Sequence, residues 1–284
     1  MQYRILGRTG LRVSEVGCGS ATLGLPNYIE RADPYSPEFE AEAIHALNHA
    51  LDIGYNYIDS AESYGNGRAE AIIGKVLRHR RGECYIATKV SWRNKTPQQI
   101  IESCDNSLRR LQTDVIDVYQ FHGGDYTEEQ FKQIVEGGLL EAFFRLREQG
   151  KIRFIGITAE EPVTLRPFMA TGHFDVIQIR YNIIYQSAWH NILPEAKAAN
   201  IGTVIMRPLT SGLFQKLMRH VFPEIDRYVD LYELALNFVL SDPNVSTAIV
   251  GVRRVEELDR NNAISDNTAI RLDLEYFHDR FVRE

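Results

Sequence analysis

The chain is expected to belong to the α/β class, as a (β/α)8 barrel of the TIM type behind an N-terminal β-hairpin. Three observations predict it. Eight short runs rich in β-branched and aromatic residues alternate with longer segments of helical period. No Ser-, Gly- or Pro-rich linker divides the chain into unlike halves, so residues 1–284 read as one barrel domain. Right-handed crossovers and short connections leave few other arrangements for eight strand–helix pairs, and about 250 residues is an ordinary size for such a barrel.

Taken in order, the opening stretch turns at Thr9-Gly10 and reads as the hairpin. Strands are expected over 15–20, 57–60, 84–90, 115–121, 154–158, 176–181, 203–207 and 248–252. Ser36-Pro37 opens a helix that Gly54 closes, and Thr96-Pro97 opens another, since proline suits the first helical turn. LLEAFFRLREQGKIRFIGIT runs from an amphipathic helix through Gly150, a natural left-handed cap, into an apolar strand. Leu231, Leu234, Ala235 and Phe238, spaced by three and four, form one core-facing stripe of a late helix. The competing arrangement is an open doubly wound sheet. It would carry a glycine fingerprint in its first β–α turn, whereas Gly17-Cys18-Gly19 lacks the third glycine.

The formal charge is −6 and the basic residues are dispersed, so no stripe recommends nucleic acid or an anionic membrane as a partner. Cys18, Cys84 and Cys104 are odd in number and lack C-x-x-C spacing, which argues against a disulfide framework or a zinc site; no metal is expected. The amino terminus has no apolar leader core, and no run approaches the roughly 18 apolar residues of a membrane span. A cytoplasmic, unprocessed chain is the expectation.

Chemistry concentrates in Asp59, Tyr64, Lys89 and His122, which stand at or just past the ends of three successive strand-like runs. In a parallel barrel the carboxyl ends of the strands share one rim, so residues distant in sequence meet there. An ammonium on the apolar run CYIATKV is costly to bury without a partner, and Asp59 is the obvious one. His122 follows VIDVYQF and precedes two glycines, which should bring it out at the same rim. A carboxylate, a phenol, an ammonium and an imidazole so placed suit proton transfer to or from a carbonyl oxygen.

GYNYIDSAESYGNG, with Lys89 and His122 downstream, resembles the signature of the aldo-keto reductase family. The resemblance runs from ILGRTGLRVSEVGCGSATLG to the segment around Asn261. It implies an NADPH-dependent reductase of small aldehydes, ketones or sugar-like carbonyls, with Asp59, Tyr64, Lys89 and His122 as the catalytic tetrad. Tyr64 would be the general acid, Lys89 and Asp59 would tune it, and His122 would orient the carbonyl.

The same resemblance implies that Thr158 and Gln178 grip the nicotinamide, although Ala159 stands where relatives have Asn; Asn182 could replace it only if turned inward. Met206 stands where relatives commonly stack a tyrosine, and a methionine can still pack softly on a ring. Arg207, Leu209 and Ser211 fall on pyrophosphate positions. Gly251, Arg253, Arg254 and Asn261 fall in the segment that meets adenosine, with Arg253 on the 2′-phosphate, Arg254 in reserve and Asn261 on adenine. Glu257 stands where many relatives carry Arg or Gln, so NADP(H) is expected and NAD(H) stays open.

Tyr28, in the long rim loop over 25–38, and Trp92 are expected to wall the substrate, with Trp189 a further aromatic. Little chain remains after the last helix to form a long lid, so an open site with broad, weak specificity is expected; the chain is separately expected to be a monomer. Alternatives are an NADP-dependent sugar or polyol dehydrogenase using the same groups in reverse, and a nucleotide-sensing regulatory subunit, against which the intact tetrad counts. A lyase forming a Schiff base on Lys89 is disfavoured, because Asp59 would keep that amine charged.

Overall fold

Two antiparallel strands come first in the computed structural model, which describes residues 1–26 and 33–276. β1 (Tyr3–Ile5) and β2 (Arg12–Ser14) pair across a turn in which Gly10 takes a φ of 68°, a left-handed conformation that glycine adopts without strain. The chain continues through β3 (Val16–Gly19), α1 (Ala21–Gly24), α2 (Pro37–Asp52), β4 (Tyr57–Asp59), α3 (Arg68–Arg80), β5 (Tyr85–Val90), α4 (Pro97–Leu111) and β6 (Ile116–Phe121). Then follow α5 (Glu128–Val135), α6 (Leu139–Glu148), β7 (Ile152–Ala159), α7 (Arg166–Ala170), β8 (Val176–Arg180), α8 (Ile192–Ala198) and β9 (Gly202–Met206). α9 (Leu213–Val221), α10 (Leu231–Leu240), β10 (Thr247–Gly251) and α11 (Val255–Asp266) follow, with short 3-10 helices in several of the connections and after α11.

Strands β3 to β10 are parallel and close into a barrel of eight, with β10 bonded back to β3. Every expected strand is present, each end within two residues of its expected place. The helix starts follow the local chemistry that announced them. Ser36 Oγ accepts from the Phe39 amide at 3.1 Å with Pro37 in the first turn, and Thr96 and Gln99 cap α4 reciprocally. Gly150 takes a φ of 72° between α6 and β7, as its place in the sequence requires. On α10, Leu231, Ala235 and Phe238 are buried, but Leu234 is only half-buried.

Strand residues alternate between two apolar layers. Tyr57, Ala87, Val118, Val176, Val204 and Ile249 point into the barrel, where Leu6, Leu11 and Val13 of the hairpin region join them and plug its amino end. Ile58, Ile86, Tyr119, Ile155, Ile177 and Ile205 point outward against the helices. Two residues beyond the inward apolar set the same alternation reaches Asp59, Lys89, Gln120 and Gln178, so the interior turns polar toward the carboxyl ends. That change of character marks the site.

The loop after β4 is pinned by a backbone crossing. A Cβ on Gly24 would stand 2.4 Å from the Tyr64 carbonyl oxygen, and one on Gly65, whose φ is 62°, would stand 2.3 Å from the Gly24 carbonyl oxygen. Only glycine permits this approach, and it sets where Tyr64 leaves the backbone. Gly24→Ala should therefore cost about 1–3 kcal/mol, the usual range for overpacking. Urea unfolding reads this directly, and a midpoint equal to that of the parent would show that the crossing imposes no such constraint.

Candidate active site

Lys89 is the centre of the site. It is inward-facing on β5 and 1% exposed, so its ammonium needs partners within the protein. It donates to Asp59 Oδ1 at 2.6 Å and to the Ser60 carbonyl at 2.6 Å, and it lies 3.5 Å from the Tyr64 hydroxyl. Burial alone would push the amine down, but the neighbouring Asp59 carboxylate more than offsets this and holds it above its ordinary value. Burial pushes the Asp59 carboxyl up, opposed by Lys89 and by the amides of Gln178 and Gln120. With an ammonium at 2.6 Å, the ion pair is the state at neutral pH.

Tyr64 and His122 complete the group that the sequence predicted. Their rings meet edge to face, with centroids 5.9 Å apart at 84°. The Lys89 ammonium also sits 5.0 Å from the centre of the tyrosine ring. Burial, then the positive charges of Lys89 and Arg93, push His122 down to about 3. The imidazole is thus neutral, with one N–H to give and one nitrogen to accept. Ser63 Oγ lies 3.3 Å from His122 Nδ1, so the serine hydroxyl is the neighbour that orients the ring.

Below this rim, Gln178 on β8 donates toward Asp59 Oδ1 at 3.4 Å and accepts from Gln120 Nε2 at 3.0 Å. Gln120 was not singled out in the sequence, although its position two residues before His122 on one strand placed it inward. Thr158 Oγ1 donates to the Gly123 carbonyl and accepts from the Gly123 amide, each at 3.0 Å, so it holds the loop that carries His122. Ala159 points outward into the helix-facing core, opposite in parity to Thr158.

Met206 ends β9, half-buried above the barrel interior. Arg207, Thr210 and Ser211 all take positive φ, at 56°, 56° and 52°, an unusual concentration for residues other than glycine. The Arg207 guanidinium is paired with Glu160 at 2.7 Å, and Arg180 stands 3.6 Å from the same carboxylate. Glu160, also missed in the sequence, thus bridges the ends of β8 and β9. Leu209 packs against the helix-side core, and Ser211 is exposed.

Gly251 ends β10, and α11 follows with Arg254 as its N-cap residue; among the described residues no side chain caps it, so its first-turn N–H groups suit an anion. Arg253 is half-buried with its guanidinium 5.8 Å from the Phe39 ring centre. Arg254 lies 3.9 Å from Glu257, so that carboxylate has a cation beside it. Asn261 is buried on α11. An uncapped helix start beside arginines is a donor set that fits a phosphate-bearing dinucleotide.

Two expectations are corrected and one falls outside the described residues. Trp92 is not a wall of an open pocket: it is 1% exposed and stacked on Tyr126 at 6.0 Å and 18°. Because Lys89 points inward, Val90 and Trp92 share the outward parity and enter the helix-side core. Asn182 is not available to replace the missing amide. Its Nδ2 donates to the Arg207 carbonyl at 2.9 Å, and its Oδ1 accepts from the Ile184 and Tyr185 amides at 3.1 and 3.0 Å. Tyr28 lies outside the described residues. Trp189 is half-buried and stacked with His190 at 4.5 Å.

A parallel barrel with a buried cation under a phenol and a neutral imidazole is a framework for handing a proton to an oxygen. Residues 15–274 match the model of the aldo/keto reductase family, and the chain belongs to that family. It is accordingly an NAD(P)H-dependent oxidoreductase. L-galactose dehydrogenase of Arabidopsis thaliana is 28% identical over 292 residues, which cover 93% of this chain and 88% of that protein. The holo form of aldo-keto reductase AKR11C1 from Bacillus halodurans superposes with a TM-score of 0.79 at 29% identity, over 97% of this chain and 93% of its own. An aldo-keto reductase from Klebsiella pneumoniae in complex with NADPH shares the fold, with a TM-score of 0.78 at 24% identity, over 99% of this chain and 95% of its own.

The depressed His122 makes a prediction about acid stability. An unfolded histidine takes up its proton near pH 6.5, whereas the folded one resists until about 3. Between these values the unfolded state binds more protons, so stability should fall as pH drops from about 6.5 toward 3 and be unaffected by this group above that window. In His122→Gln this part of the slope should flatten, as read by urea unfolding across pH 4–8. A slope identical to that of the parent would mean that His122 is not held neutral.

Proposed function

We propose that this chain is an NADP(H)-dependent reductase of small aldehydes, ketones or sugar-like carbonyls, in which Tyr64 donates the proton. The observation that carries the reading is the buried Lys89 ammonium, 2.6 Å from Asp59 and 3.5 Å from the Tyr64 hydroxyl. Bound NADPH supplies the hydride. Tyr64 gives its hydroxyl proton to the carbonyl oxygen as negative charge develops there, and the phenolate left behind faces the Lys89 ammonium. Asp59 keeps that ammonium charged and in place. His122, neutral, directs one N–H to the same oxygen and fixes the direction from which it meets Tyr64. When the Ser63 hydroxyl donates to Nδ1, the ring proton sits on Nε2, free for that role.

The choice of NADP(H) is supported by Arg253 and the uncapped start of α11, and by the NADPH complex of the Klebsiella structure. Arg207 lines the pyrophosphate in this reading and exchanges its Glu160 contact for the phosphate oxygens. A second reading, a sugar or polyol dehydrogenase, is favoured by the likeness to L-galactose dehydrogenase. It uses the same groups in reverse, with the Tyr64 phenolate accepting the hydroxyl proton. Initial rates in both directions, on matched carbonyl and alcohol pairs, separate the two.

Tyr64→Phe should lower turnover with an aldehyde by at least about a hundredfold while leaving NADPH binding nearly intact. Near-parental turnover would remove Tyr64 from the mechanism. Arg253→Ala should weaken NADPH by roughly tenfold or more and leave NADH little changed, since only the former carries the 2′-phosphate. Fluorescence titration tests this, and tighter binding of NADH than NADPH by the parent would overturn the Arg253 assignment.

A further inference from the structure

We propose that Gln120 is a positioning residue of this enzyme: it fixes which way the Gln178 amide faces, and so decides whether that amide can accept from the nicotinamide carboxamide. The proposal rests on Gln178 being the group that meets the carboxamide, as in the reading above.

Gln120 is fully buried in the barrel interior, in register with Lys89 on one side and Gly156 on the other. A Cβ at Gly156 would stand 2.7 Å from Gln120 Cγ, so the neighbouring strand leaves room for this side chain. Gln120 Nε2 lies 3.0 Å from Gln178 Oε1 and 3.5 Å from Asp59 Oδ2, while Gln178 Nε2 lies 3.4 Å from Asp59 Oδ1. The three side chains form a closed triangle.

An ionised carboxylate only accepts, so any amide facing it must present its NH2 group. Asp59 therefore orients both glutamines. Gln178 turns its NH2 to Asp59 and its carbonyl to the Gln120 NH2. That carbonyl has a second lone pair, which suits a primary carboxamide N–H. Without Gln120, only the 3.4 Å contact with Asp59 opposes rotation of the Gln178 amide. A rotated amide would set donor against donor. Among the described residues the Gln120 carbonyl has no hydrogen-bond partner, a cost that an apolar side chain of similar length would avoid. Packing therefore does not explain the amide, whereas its NH2 group does.

The test is NADPH affinity, read by fluorescence titration of Gln120→Met, Gln178→Met and the double variant. Gln120→Met should bind NADPH about tenfold more weakly, the scale of one lost hydrogen bond, and should raise KM for NADPH more than it lowers kcat. The double variant should be no weaker than Gln178→Met alone, because Gln120 acts through Gln178. Parental affinity in Gln120→Met, or losses that simply add, would overturn the proposal. Should Gln120→Met fail to fold, Gln120→Glu carries the test. Its protonated acid supplies a donor and its carboxylate does not, so its NADPH affinity relative to the parent should rise from pH 8 to pH 6. A pH-independent ratio overturns the proposal. A parent that binds no NADPH sinks the cofactor reading and this inference together, whereas a parent that binds it beside an unaffected Gln120→Met sinks only this inference.

Discussion

Everything at the rim follows from burying one ammonium. Lys89 is sealed inside an apolar barrel, and removing a partner from a buried ion pair typically costs about 3–5 kcal/mol, far more than an exposed pair contributes. The surrounding groups are therefore arranged to satisfy the pair. Asp59 pairs with the ammonium, the Ser60 carbonyl accepts a second N–H from it, and two glutamine amides turn their NH2 groups to the carboxylate. The half-buried Tyr64 lies beside this cluster, its hydroxyl 3.5 Å from the ammonium.

The same charge sorts the roles of its neighbours. A cation next to a phenol favours its release of a proton, while a cation next to an imidazole disfavours uptake of one. Lys89 lies 5.0 Å from the Tyr64 ring centre, and its charge is one of the causes that keep His122 neutral. Burial is the larger cause of that neutrality, and the Lys89 and Arg93 charges add to it. The polar layer is thus an electrostatic device before it is a binding site.

Much of this was legible in the chain. Strand and helix alternate with distinct periods, and the capping residues Ser36, Thr96 and Gly150 behave locally, so their contexts alone located element ends. Asp59, Lys89 and His122 were legible because a charged or titratable side chain at the end of an apolar run has few structural excuses. Trp92 misled because aromatic residues serve pockets and cores alike, and only strand parity sends it outward. Asn182 misled because its own loop takes its carbonyl and the Arg207 carbonyl beyond β9 takes its NH2 group. Gln120 and Glu160 were passed over because neither amide nor carboxylate carries a motif; their meaning lies in partners on other strands.

The sequence by itself determined the eightfold alternation and the rim at which Asp59, Tyr64, Lys89 and His122 come together, because periodicity and capping are local properties. Only the tertiary structure decided which polar groups share a charge. Hydrogen bonds between Asp59, Gln120 and Gln178 span three strands distant in the chain, and closure of the barrel is what brings their side chains within reach.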